Sequence, residues 1–143
     1  DAEYVGEDGL KHKPVMMHRA ILGSFERFLG VLIENYAGKL PLWLAPIQIV
    51  FMTVTDEVTD YASGLKDQCD ALGLRAELDL RNEKIGYKIR EHSNAKVPLM
   101  AVIGKEEMGS NTISIRNLRE NKTDTYSIEE AMKLLVDSSA APS

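Results

Sequence analysis

Three short stretches of this 143-residue chain carry side chains able to hydrogen-bond a planar partner, at points where a fold would leave them exposed. They are "DLRNEK" (residues 79–84), "GKEE" (104–107) and the Arg116 of "NTISIRNL" (111–118). Arginine presents a rigid fork of donors that suits a base edge. Glutamate accepts from amino and imino groups, and asparagine can do either. Asn82, Glu107 and Arg116, expected around one sheet end with Arg116 on the non-core face of its strand, are therefore candidates for reading a heterocyclic base. The plainer reading, polar residues at loop ends, stays open on these residues alone. A fourth stretch, "HRAILGSFERFLG" (18–30), sets His18, Arg19 and Arg27 around an apolar turn. Such a turn is either a helix start with solvated charges or one wall of a site completed elsewhere.

Other chemistries have little support. No glycine-rich phosphate loop, paired histidines or nucleophile elbow is present. The single cysteine excludes an internal disulfide framework, and Cys69 at Leu65–Cys69–Leu72 spacing reads as core. His92, beside Glu91, reads as a cation near a helix C-terminus, and His12 has no assignment. Net charge is −5, yet residues 81–122 hold nine Lys/Arg against five Asp/Glu, a local +4. That block is either a solvated face or the footprint of a phosphate-rich partner.

The elements that would position these groups follow from periodicity. "PVMMHRAIL" (14–22) reads as a strand, and the apolar positions from Phe25 to Tyr36 recur at helical spacing up to Gly38. "GKLPLWLAP", with two prolines, marks a linker. Beyond it, "IQIVFMTV" (47–54) and "VPLMAVIG" (97–104) are continuous apolar runs, as in strands covered on both faces. "LRAELDL" (74–80) alternates and predicts a half-exposed strand. Helices are expected from Thr55 or Asp56 to Leu72, closed by Gly73, and over 82–92 with Asn82 as its cap. A hairpin covers 111–118 and about 123–126, and a Ser127–Glu130 capping box opens a last helix. The fold class is α/β: a mixed five-stranded sheet flanked by about three helices, its first three strands parallel through right-handed crossovers.

The stretch "KHKPVMMHRAILGSFERFLGVLIENYAGKLPLWLAPIQI" resembles the end of the catalytic domain of the threonyl-tRNA synthetases, with their form of class II motif 3. "AELDLRNEKIGYKIREH" (76–92) resembles that family's anticodon-binding domain. The resemblance covers residues 4–136. It implies a strand–helix remnant of the antiparallel catalytic domain at 1–40, a linker at 41–46 and an anticodon-binding domain at 47–137; the composition of the "SSAAPS" tail at 138–143 predicts disorder. It implies further that Arg27 is the motif 3 arginine that lies against the adenine side of ATP, and that His18 is a zinc ligand whose companions lie outside this chain. Anticodon contacts pass to Asn82, Glu107 and Arg116, with Lys84 a weaker member; they read the G and U shared by threonine anticodons. Lys88, Arg90 and Lys96 would contact phosphates, by their charge.

On this reading the chain is a fragment of a homodimeric cytoplasmic enzyme that uses ATP, Mg2+ and Zn2+ to activate threonine and load threonine tRNA. The fragment itself would bind RNA, hold no cofactor tightly and touch no membrane. Competing readings are a non-catalytic accessory RNA-binding protein, a prolyl, glycyl or histidyl class II relative, and a doubly wound signalling or flavin module. The last lacks an acidic or flavin-phosphate cluster at any predicted strand end.

Overall fold

A computed structural model describes residues 2–141. They fall into two compact units, Asp1–Leu32 and Ile33–Ser143.

In the first unit, β1 (Tyr4–Val5) pairs antiparallel with β2 (Lys11–His12). The turn is fastened by the Asp8 carboxylate, which meets His12 Nε2 at 2.8 Å and accepts from the Leu10 amide. The expected strand at 14–22 does not form: residues 13–20 hold no regular element, and Val15, Met16 and Met17 stand open to solvent. A strand exists only by sharing a ladder with another, and no described strand lies beside this one. Helix α1 (Phe25–Asn35) follows and continues into the second unit, so only the helical half of the expected remnant is present.

The second unit is built on a five-stranded sheet of order β4-β3-β5-β6-β7. Its strands are β3 (Ile49–Thr53), β4 (Ala76–Asp79), β5 (Leu99–Ile103), β6 (Thr112–Asn117) and β7 (Lys122–Ser127). β3 runs parallel to β4 and β5, whereas β6 is antiparallel to both β5 and β7. This is the mixed sheet expected. Four helices accompany it: α2 (Thr59–Ala71), α3 (Ile85–Asn94), the short α4 (Lys105–Ser110) and α5 (Ile128–Ser139). α4 was not legible as a helix, because six polar and small residues show no apolar period. The tail expected at 138–143 is helical as far as Ser139, and residues 142–143 lie outside the described residues.

Every residue of β3 is buried because both faces are covered. On one face α2 and α5 bring Ala62, Leu65, Cys69, Ala131 and Leu135 against Ile49, Phe51, Ala101, Ile113 and Ile115. On the other, Ile85 and Ile89 of α3 pack on Val50, Met52 and Met100. Two punctuation marks behave as read. Gly73 ends α2 at φ +75°, where a side chain would be strained. The Ser127 hydroxyl accepts from the Glu130 amide at 3.3 Å while Glu130 accepts from the Ser127 amide at 3.1 Å. The caps expected from Thr55 and Asn82 are not made: Thr55 precedes a 3-10 turn (Asp56–Val58) without a side-chain cap bond, and α3 opens on Lys84. The segment expected as a linker is fastened by its carbonyls: Arg75 donates to Ala45 and Trp43, and Gln48 to Leu42.

Cys69 lies fully inside this core, and burial pushes its thiol up to about 11. A thiolate-directed reagent should therefore label the native chain at pH 8 only as fast as the α2 face opens. Following absorbance of the released thiol product checks this, and immediate stoichiometric labelling would contradict the packing.

Candidate functional site

In sheets of this kind, ligands gather beyond the carboxyl ends of the parallel strands. Those ends are β3 at Thr53, β4 at Asp79 and β5 at Ile103. Asn82 stands in the turn after β4, exposed, beside Thr53, Thr55, Asp56 and Glu83, which line the same hollow. Glu107 stands after β5, in the first turn of α4.

Glu107 is held from two sides. Its Oε2 accepts from the Gly104 amide at 2.9 Å and its Oε1 from the Ser114 hydroxyl at 3.0 Å. A Cβ on Gly104 would lie 3.0 Å from that carboxylate, so glycine lets it settle against the backbone. Burial, and then the Glu107 charge, raise the Tyr61 phenol above its ordinary value. Ser114 itself bridges to Thr125 of β7 at 3.0 Å. Two residues further on the same face stands Arg116, half-buried, donating from Nη2 to Asn121 Oδ1 at 2.7 Å. Strand rise puts Arg116 about 7 Å from Ser114.

Asn82, Glu107 and Arg116 were expected around one rim, and the structure places only the first two there. Arg116 pairs in register with Met100, next to the amino end of β5. The three groups follow the sheet instead of ringing its end, from the carboxyl ends of β4 and β5 onto the outer face of β6. That face is polar, with Ser114 and Arg116 opposite Thr125 and Thr123, while α3 packs on β3 and β5.

The basic residues divide. Lys84 and Arg90 are exposed on α3. Lys96 is exposed beyond the far end of that helix, in a left-handed turn against Gly38. Lys88 is a correction to the sequence reading. It is wholly buried, and its Nζ donates to the carbonyls of Thr53 at 2.9 Å and Asp79 at 3.0 Å. It cannot reach a phosphate.

Lys88 belongs to a network that the sequence did not reveal. Asp79, also buried, accepts from Arg81 at 2.9 and 2.6 Å and meets His92 Nε2 at 2.8 Å; its Oδ1 lies 3.8 Å from the Lys88 ammonium. Arg81 reaches on to Glu91 at 3.0 Å. Hydrogen bonds from Arg81 and then His92 hold the Asp79 carboxyl well below the usual carboxylate range against the opposing effect of burial. His92 thus serves Asp79 and is no helix cap alone. The network ties the ends of β3 and β4 to α3 and brackets the turn that carries Asn82. The one signal in the sequence was the spacing of Lys88 and His92, four residues apart on one helix face, since alternation puts Asp79 on the polar side of its strand.

His18 and Arg27 lie in the first unit, both exposed, and the Arg27 amide is held by Ser24 Oγ at 3.1 Å. Among the described residues no three His, Cys, Asp or Glu side chains come together to hold a metal ion, and His18 stands in no such group. Nor is any helix among the described residues long and apolar enough to cross a membrane.

Residues 48–138 match the family of the anticodon binding domain. The chain is 54% identical over 142 residues to the threonine–tRNA ligase of Caulobacter sp. (strain K31), covering 99% of this chain and 22% of that protein. Identity is again 54%, with the same coverage, to the threonine–tRNA ligase of Parvibaculum lavamentivorans. The chain thus spans about a fifth of the length of the curated relatives it matches, 22% in each of these. Among solved structures, the RNA binding domain of threonyl-tRNA synthetase from Cryptosporidium parvum Iowa II superposes with a TM-score of 0.80 at 28% identity, over 92% of this chain and 33% of that one.

The buried network generates a prediction about acid stability. Because the folded Asp79 carboxyl binds its proton less tightly than an unfolded aspartate, its stabilisation is complete above about pH 4 and is lost as pH falls through and below that value. Asp79→Asn leaves the buried Lys88 ammonium without its counter-ion and should cost about 3 kcal/mol near neutrality. Urea unfolding from pH 7 to pH 3 should show the variant less stable at pH 7 and the gap narrowing in acid. A constant gap would remove Asp79 from this role.

Proposed function

Since this chain belongs to the anticodon binding domain family, we propose that it binds the anticodon loop of a threonine tRNA as part of a threonine–tRNA ligase. The observation that carries the reading is the polar track from the carboxyl ends of β4 and β5 to the outer face of β6, with Glu107 and Arg116 each held by a neighbour before any ligand arrives. Proteins read RNA sequence chiefly at unstacked loop bases, and groups already oriented lose less entropy on binding. Glu107 keeps lone pairs for a base amino or imino group, Arg116 offers its remaining donors to a base edge, and Asn82 can donate and accept. Lys84 is a weaker member of this set. Arg90 and Lys96 are the phosphate contacts, and the buried Lys88 is not one of them. The bases read are the G and U that threonine anticodons share.

In the whole enzyme the reaction is ATP-dependent threonyl adenylate formation followed by acyl transfer to the terminal ribose of the tRNA. ATP and Mg2+ serve that activation, and Arg27 would lie against the adenine. His18 would join zinc ligands supplied by residues elsewhere in the enzyme. Homodimerisation and a cytoplasmic setting belong to the same proposal.

The test is a titration of this chain with a threonine anticodon hairpin and with hairpins altered at single anticodon bases. Arg116→Ala should cost about 1–3 kcal/mol on the matched hairpin and relax discrimination at one base. Arg90→Ala should weaken all hairpins alike and lower the salt dependence by roughly one phosphate contact. Lys88→Ala should instead lower the unfolding midpoint. Unchanged discrimination in Arg116→Ala would refute the assignment. ATP–pyrophosphate exchange by this polypeptide alone should be undetectable, since it offers only Arg27 and His18 of the proposed catalytic site.

A further inference from the structure

Helix α3 turns Ile85 and Ile89 toward the apolar face of the sheet, and Lys88 and His92 toward Asp79. Its opposite side carries Lys84, Tyr87 and Arg90 at successive spacings of three, which places them along one stripe of the surface. Tyr87 is 53% exposed, and its ring and hydroxyl have no partner among the described residues. A lone exposed aromatic is ordinary. In this unit, however, the other tyrosines are engaged: Tyr61 donates to the Thr112 carbonyl, Tyr36 lies 5.7 Å beneath the Arg119 guanidinium, and Tyr126 packs on the core.

The charges beside Tyr87 also differ from several others in this unit. Neither the Lys84 ammonium nor the Arg90 guanidinium meets any acid or carbonyl among the described residues, whereas Arg81, Lys105 and Lys122 are each paired with a carboxylate. Of the nearby acids, Glu91 is taken by Arg81 and Glu83 lines the hollow at the sheet end. The stripe is therefore a flat aromatic face between two unneutralised cations, and it begins two residues after Asn82.

We propose that Tyr87 is a stacking platform for an unpaired nucleotide, with Lys84 and Arg90 holding the flanking phosphates, so that the outer face of α3 extends the anticodon site into a track for single-stranded RNA. This rests on the anticodon-binding reading and adds to it a contact that is indifferent to base identity. Every base has a π-face, so stacking supplies affinity without choosing a sequence. Base choice stays with Asn82, Glu107 and Arg116.

The experiment titrates the full 143-residue chain with a threonine anticodon hairpin carrying 2-aminopurine at single loop positions. Wild type and Tyr87→Phe should bind alike and quench one loop position. Tyr87→Ala should lose about tenfold in affinity and that quench, with the ranking of matched over altered anticodons and the salt dependence both kept. Tyr87→Leu, which keeps helix propensity and apolar bulk, should behave as the alanine variant does. Lys84→Ala and Arg90→Ala should each lower the salt dependence and leave the quench in place. If Tyr87→Ala binds within twofold of wild type while Arg116→Ala loses discrimination, the platform is refuted and the anticodon reading stands. If wild type does not distinguish the threonine hairpin from altered ones, the anticodon reading falls and the platform with it.

Discussion

A carboxylate withdrawn from water must be compensated, and here the compensation organises the end of the sheet. Asp79 closes β4 on the side facing α3, where Arg81, His92 and Lys88 converge on its two oxygens. Removing two opposite charges from water costs more than their attraction returns unless further hydrogen bonds fill the remaining valences. Those bonds are present: Lys88 also donates to the Thr53 and Asp79 carbonyls, and no buried side-chain nitrogen or oxygen among the described residues lacks a partner. The same bonds satisfy backbone carbonyls where β3 and β4 leave their ladders. The turn at 80–83 is thereby tied at its start through Asp79 and Arg81, and beyond its end through Lys88 of α3. Asn82 projects from a tied backbone, and its exposure is not that of a loose loop.

The contrast between the two halves of the sheet follows from strand direction. β3 and β5 belong to the parallel part, whose crossover helices cover both faces. Antiparallel β6 and β7 are joined by a short turn, which brings no helix across, and α5 packs on one side only. The other side is left polar, with Ser114, Arg116, Thr123 and Thr125 across the strand pair. A mixed sheet thus supplies in one layer a rigid buried frame and a hydrogen-bonding surface fixed to it. Side chains on a strand so anchored lose little freedom when a planar ligand arrives.

Much of this was legible because local rules and the global fold agree. The apolar runs at 47–54 and 97–104 mark buried strands, Gly73 marks a helix end, and Ser127 with Glu130 marks a helix start. The failures have a common cause. Alternation in 74–80 assigns Asp79 to solvent, and a charge tally assigns Lys88 to a phosphate. Each rule treats one residue at a time, while burial of either group is possible only because the other is there. Residues 14–22 fail for a related reason. Their composition favours a strand, but pairing is a property of two segments, and no second segment is described. Arg116 was placed on the correct face and too near the rim, since a period of two fixes the side of a strand and not the position along it.

The buried lysine also changes what net charge means for a partner. The block at 81–122 sums to +4 over nine cations, yet Lys88 is internal and Arg81, Lys105 and Lys122 are spent on Asp79, Glu57 and Asp124. Lys84, Arg90 and Lys96 are left with their charge toward water. Arg116 and Arg119 are held only by neutral oxygens, from Asn121 and from the Lys39 carbonyl. Within that block, unneutralised positive charge therefore falls on α3, its far end and the β6–β7 hairpin, in a chain whose overall charge is −5. A polyanion approaching this unit meets repulsion over much of the surface and attraction at that patch. Steering of this kind needs no sequence knowledge, and it delivers the polyanion to groups whose geometry is already set by Asp79 and its neighbours.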